Sequence, residues 1–243
     1  MSTLVLVPGL ISDRFVWQAV AEAVAGRMPV HHADLTQGVS ITGMAQSLLD
    51  AVDGPLIVVG HSMGGRVAME MARIAPTRVH GLVLANTGHH PKREGEEIKR
   101  QAMIDLGYRG MDKLADAWLP PMLDPARVSD SKLMADLRTM VLRATPGMHE
   151  RQIRALIDRP NASAYLSSIA CPVLLIAARQ DSWSPIAQHE ELAAAVQDAE
   201  LVVIENAGHF APVERPKEVA AAVTGWLARR FGEQHAERKA AHS

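Results

Sequence analysis

The chain has 243 residues, 48% hydrophobic and 21% charged, and its 25 Lys+Arg against 27 Asp+Glu leave a formal charge of −2. That composition excludes a disordered or collagenous chain and suits one large α/β domain with a sizeable core. With 4 Trp, 2 Tyr and 3 Phe it offers neither a basic stripe for phosphates nor many stacking platforms for bases, so no nucleic-acid partner is expected.

The apolar run at 4–7 meets Pro8-Gly9 too soon for a signal peptide or a membrane span, so no membrane partner and a cytoplasmic location are expected. Similar short, β-branched runs recur at 30–33, 56–59, 79–84, 173–177 and 201–204 and read as buried strands. The segments 15–24, 44–52, 64–74 and 219–227 carry apolar residues at three- and four-residue spacing, the period of a half-buried helix. Strand and helix alternating this way predict a mostly parallel sheet with helices on both faces, and function beyond the carboxyl ends of the strands. The single Cys171 reads as a small buried residue entering a strand. The polar tail after Phe231 is expected to fray.

The alternation lapses over residues 88–165, which predicts a helical insertion. Met103 and Leu106, then Met111, Leu114 and Trp118, then Leu133, Leu137, Met140 and Val141 trace its apolar faces. Thr145-Pro146 supplies an N-cap and first-turn pair for a helix through Ile153, Leu156 and Ile157. The methionines of this segment read as core packing, with an adaptable cavity lining as the alternative.

The run 56–59 leads into Gly60-His61-Ser62-Met63-Gly64-Gly65, and a helical pattern follows. This is a strand, a sharp turn and a helix with Ser62 at the apex. Glycines at 60 and 64 let the turn tighten, and the helix N-terminus presents free N–H groups where an oxyanion would develop. A G-x-S-x-G alone is a weak signal, and a serine hydroxyl needs a base that is itself oriented by an acid. Asp181 lies in the loop after the run 173–177, and His209 in the loop after 201–204. The order Ser62, Asp181, His209 matches one known triad arrangement.

On these residues the chain resembles the α/β-hydrolase superfamily over nearly its whole length. The marks are Gly60-His61-Ser62-Met63-Gly64-Gly65, the Asp181 loop ending at Pro185, and Ala207-Gly208-His209-Phe210 before Pro212 and Pro216. The resemblance implies Ser62 as nucleophile, His209 as general base and later acid, and Asp181 as the carboxylate holding the imidazole. It implies the Met63 N–H as one oxyanion donor and the segment 88–165 as a cap over the active site, within a single domain spanning 1–243. The second donor is assigned to the Leu10 N–H, in the loop Val7-Pro8-Gly9-Leu10, where Pro8 stands in place of the family's usual histidine. Ala178 replaces a glycine often seen before the acid. The two antiparallel strands that usually precede the first parallel one are absent, which predicts six strands.

Other residues read more blandly. His61 is expected to point away from Ser62 and support the turn, and Arg66 to make a structural pair. The doublets His31-His32 and His89-His90 lack a third ligand at metal spacing, although His89 and His90 could meet substrate. The run Arg93-Glu94-Gly95-Glu96-Glu97 reads as a solvated helix start. No dinucleotide, phosphate-loop or zinc-helix motif occurs, so no cofactor and no metal are expected. The expectation is a serine hydrolase acting on a small, largely apolar carboxylic ester or lactone. The alternatives are a carbon–carbon hydrolase or synthase using the same triad, and a noncatalytic receptor. Oligomeric state is left open.

Overall fold

In the computed structural model, which describes residues 1–240 and side chains through Gly232, the apolar runs form six strands. They are β1 (Thr3–Val7), β2 (Val30–His32), β3 (Leu56–His61), β4 (Val79–Ala85), β5 (Val173–Ala178) and β6 (Ala199–Ile204). All neighbours pair in parallel, in the order β2-β1-β3-β4-β5-β6. This is the six-stranded parallel sheet expected from the sequence. Central strands β3 and β5 are buried at every position, which is why they read as unbroken apolar runs.

The helices are α1 (Gln18–Val24), α2 (Ile41–Ala51), α3 (Met63–Ile74), α4 (Glu96–Arg109), α5 (Met111–Trp118), α6 (Ser131–Leu142), α7 (Pro146–Ile157), α8 (Ile186–Ala195), α9 (Ala211–Glu214) and α10 (Pro216–Ala240). Alternation along β1 assigns them to faces. Leu4 and Leu6 pack with Val20 and Val24 of α1 and with Val223 and Trp226 of α10. Val5 and Val7 pack with Leu48 of α2, Val67 of α3 and Leu192 of α8. The single helix expected over 15–24 is instead a 3-10 turn, Arg14–Trp17, followed by α1, because Asp13 accepts from the Phe15 N–H and tightens the start.

Helices α4 to α7 lie between β4 and β5, so the helical insertion is observed where the strand pattern lapses. Thr145 caps α7 by accepting from the Met148 N–H at 3.2 Å, with Pro146 in the first turn. Of the segment's methionines, Met122, Met140 and Met148 are buried in the core that contains α1 and α10, and Met103, Met111 and Met134 pack against it. Cys171 is half-buried rather than buried, and desolvation pushes its thiol up to about 11. The fraying expected after Phe231 falls almost entirely outside the residues whose side chains are described. Among the described residues, no helix is long and apolar enough to cross a membrane.

Candidate active site

The strand order reverses between β1 and β3, and Ser62 follows β3 at that point. Its φ of 54° and ψ of −115° put a non-glycine residue in the left-handed half of the map, a strained position held by its neighbours. The Ser62 N–H donates to Ala85 O at 2.9 Å, and Ser62 O accepts from Thr87 Oγ1 at 2.7 Å. A Cβ on Gly60 would collide with the backbone of Gly64 and Gly65, and one on Gly64 with the carbonyls of Val7 and Pro8. Only hydrogen fits at either position, and this lets α3 start directly against the sheet.

Ser62, Asp181 and His209 converge from 147 and 28 positions apart. His209 Nδ1 donates to Asp181 Oδ2 at 2.9 Å, and its Nε2 accepts from Ser62 Oγ at 2.8 Å. The carboxylate can only accept, which fixes the tautomer and leaves the Nε2 lone pair facing the hydroxyl. Asp181 and His209 are buried, at 4% and 6% exposure. Burial alone would raise the Asp181 carboxyl. The His209 imidazole beside it, with hydrogen bonds from His209, the Ser184 N–H and Asn86, holds it well below the usual carboxylate range.

The two loops are also tied to each other and to the insertion. The Gln180 N–H donates to Ala207 O at 2.9 Å, and the Ala207 N–H to Gln180 Oε1 at 3.0 Å. The His209 N–H donates to Met122 O at 2.6 Å. Buried Glu214 accepts from the N–H groups of both Gly208 and Asp124 at 2.9 Å, and desolvation raises its carboxyl. A Cβ on Gly208 would lie 2.6 Å from Met122 O and Asp124 N, so the base's loop runs backbone against backbone with residues 122–124.

His61 supports the turn as expected, and more specifically it holds the base: its Nε2–H donates to the His209 carbonyl at 2.8 Å. Its ring lies between Trp17, at 6.4 Å, and Phe210, at 5.4 Å. Burial first, then the charge of His209, lowers it to about 3, so it stays neutral. The N–H groups of Met63 and Leu10 have no acceptor among the described residues. The loop carrying Leu10 touches the turn, since a Cβ on Gly9 would lie 3.3 Å from Ser62 Cβ.

Sequence reasoning missed Asn86, whose Nδ2 donates to Asp181 Oδ2 at 2.9 Å from a φ of 49°. The available signal was an asparagine in Asn86-Thr87-Gly88 directly after a strand, a turn composition. It also missed Glu214, for which no signal exists before α9 is placed. Arg66 donates to the His90 carbonyl at 3.1 Å rather than to a carboxylate. Glu96 is not solvated as expected. It is 18% exposed and pairs with Arg100 and Arg159, which hold it down at about 2 against the opposing effect of burial.

His89, His90 and Glu191 bring their donor atoms within 4.8 Å of one another. A His89 ring N–H donating to Glu191 Oε2 at 3.1 Å, with His90 Nε2 lying 2.9 Å from the same oxygen, accounts for that arrangement. The guanidinium groups of Arg66 and Arg159 both donate to His90 O and oppose a divalent cation nearby. An open surface cavity of about 780 Å³ lies between the loops after β1 and β2, and none of Ser62, Asp181 and His209 lines it. Ser62 is half-buried, and Trp118 of the inserted segment lies 5.7 Å from Phe210, the neighbour of His209.

The sequence profile of the alpha/beta hydrolase family matches residues 4–222, and the chain belongs to that family. RutD of Pseudomonas savastanoi pv. phaseolicola, which carries a provisional name as a carbamate hydrolase, is 31% identical over 203 residues, 80% of this chain and 76% of its own. The pimeloyl-acyl-carrier-protein methyl ester esterase of Nitrosomonas europaea is 26% identical over 232 residues, 88% of this chain and 91% of its own. A thermophilic esterase from Thermogutta terrifontis superposes with a TM-score of 0.87 at 25% identity, covering 95% of this chain and 90% of that one. The family and its hydrolase-named members make this chain a hydrolase.

Proposed function

We propose that the protein is a cofactor-free serine hydrolase that cleaves a small, largely apolar carboxylic ester or lactone, with residues 88–165 as a cap over its active site. The observation that carries this reading is the continuous hydrogen-bond chain from Ser62 Oγ through His209 to Asp181. Ser62 Oγ attacks the carbonyl carbon and its proton passes to His209 Nε2. The N–H groups of Met63, at the start of α3, and Leu10 receive the oxyanion. The C–O bond then breaks and His209 returns the proton to the leaving alkoxide. A water molecule, deprotonated by His209, attacks the acyl-enzyme and frees Ser62.

An apolar acyl group is favoured by the leucine, methionine and aromatic side chains packed near Phe210. The names of the two relatives, an ester and a carbamate hydrolase, share a carbonyl with a heteroatom leaving group and so fit this chemistry.

The test pairs a fluorophosphonate probe with nitrophenyl esters of graded chain length and a meta-cleavage diketone. Probe labelling lost in Ser62→Ala, with ester turnover in the wild type, supports the reading. Equal labelling of both proteins overturns it, turnover of the diketone alone assigns carbon–carbon cleavage, and stoichiometric binding without turnover assigns a receptor.

A further inference from the structure

We infer that Gln152, on α7 of the inserted segment, is a positioning residue for the loop that carries the second oxyanion donor; this rests on the reading of the Leu10 N–H given above. The residue after Leu10 is Ile11, at a φ of 41°. A β-branched side chain in the left-handed region is strained, and it persists only where the surroundings over-determine it. Here two things do so. The Ile11 side chain is buried in the core, at 1% exposure, and its N–H donates to Gln152 Oε1 at 2.8 Å across 141 positions of sequence.

Gln152 is fully buried, and its other end is used as well: Nε2 donates to Leu35 O at 3.2 Å. With the oxygen accepting from one loop and the nitrogen donating to another, the amide has a single satisfying orientation. A buried amide with two main-chain partners has no packing advantage over an apolar side chain of similar volume. Its value is the peptide geometry that it fixes. The insertion makes two more ties nearby: Arg151 Nη2 donates to Thr36 O at 2.8 Å, and Arg143 Nε to Asp13 Oδ2 at 2.6 Å. These brace the flanks of the two loops, while the bond to Ile11 sets the peptide adjoining the donor. An oxyanion donor acts through its placement relative to the developing charge, so freeing that peptide should slow the chemical step and leave ground-state binding nearly alone.

The experiment compares wild type, Gln152→Met and Gln152→Glu by residue-resolved amide exchange and by hydrolysis of p-nitrophenyl butyrate. Gln152→Met keeps the volume and removes both hydrogen bonds. Ile11 exchange should accelerate at least ~10-fold, with kcat down about 10- to 100-fold and KM within about threefold. Gln152→Glu keeps an acceptor for Ile11, so its exchange should stay slow and its kcat should exceed that of the Met variant. Unchanged Ile11 exchange in Gln152→Met, kcat retained within about twofold, or a rise in KM alone overturns the inference. If the Met variant does not fold, a folded Glu variant that loses Ile11 protection overturns it, and one that keeps protection and kcat supports it. A wild type that cleaves no ester, with Ile11 exchange still dependent on Gln152, overturns the ester-hydrolase reading and leaves the coupling standing.

Discussion

The loops at the ends of β3, β4, β5 and β6 and the outer faces of helices α4 to α6 are built in opposite ways. In the loops the polar groups around the acid are buried and bonded: Asp181 accepts from Asn86, His209, Trp183 and Ser184, and three non-glycine residues, Ser62, Asn86 and Asn206, hold positive φ. The helices instead expose Ile98 and Tyr108 and carry solvent-facing ion pairs such as Lys132–Asp136 and Arg138–Asp116. Strained backbone held by its neighbours restricts where the reacting atoms can go, which bond-making requires. Exposed helix faces carrying solvent-facing ion pairs tolerate change.

The contrast breaks if the loops prove as tolerant as the helices. The largest expected effect is that of Ser62→Ala, which should lower kcat for a nitrophenyl ester by at least ~10⁴-fold, with the melting temperature nearly unchanged. Asp181→Asn should follow, at about 10³- to 10⁴-fold in kcat, because the amide allows the wrong imidazole tautomer.

Acidification probes the site and the inserted segment together through two buried histidines, His61 and His149. Desolvation, joined at His61 by the charge of His209, lowers His61 to about 3, and desolvation lowers His149, on α7, to about 4. Both folded values lie below the unfolded value near 6.5, so the unfolded chain binds more protons. Their contribution is present above pH 6.5 and lost as pH falls, by up to about 1.4 kcal/mol per pH unit for each imidazole. Thermal melts from pH 7 to 4 should show this slope, and His149→Leu should make it shallower.

Gly60→Ala should destabilise by about 1–3 kcal/mol in urea titrations, since α3 must shift to admit the methyl group. Smallest of all, Ile98→Ser on exposed α4 should change stability by less than about 0.5 kcal/mol.

These differences also explain what the sequence made legible. Strands buried on both faces leave continuous apolar runs, and the Ser62 turn needs glycines at fixed spacing, so sheet, turn and loop order could all be read directly. Within the insertion, periodicity revealed helices but not their partners. Gln152 and Glu214 are ordinary polar residues until α7 and α9 bring them against the main chain of Ile11, Gly208 and Asp124. Glu96 misled for the same reason: its partner Arg159 lies 63 positions away. Long-range hydrogen bonds to backbone leave no periodic trace.

The shared main-chain bond between His209 and Met122 restricts how a ligand can get in. Lifting the 122–124 stretch would drag the imidazole out of register with the serine, so a productive path needs a doorway elsewhere. On the proposed reading of residues 88–165 as a cap, an entrance away from that stretch leaves the chain from Ser62 through His209 to Asp181 assembled.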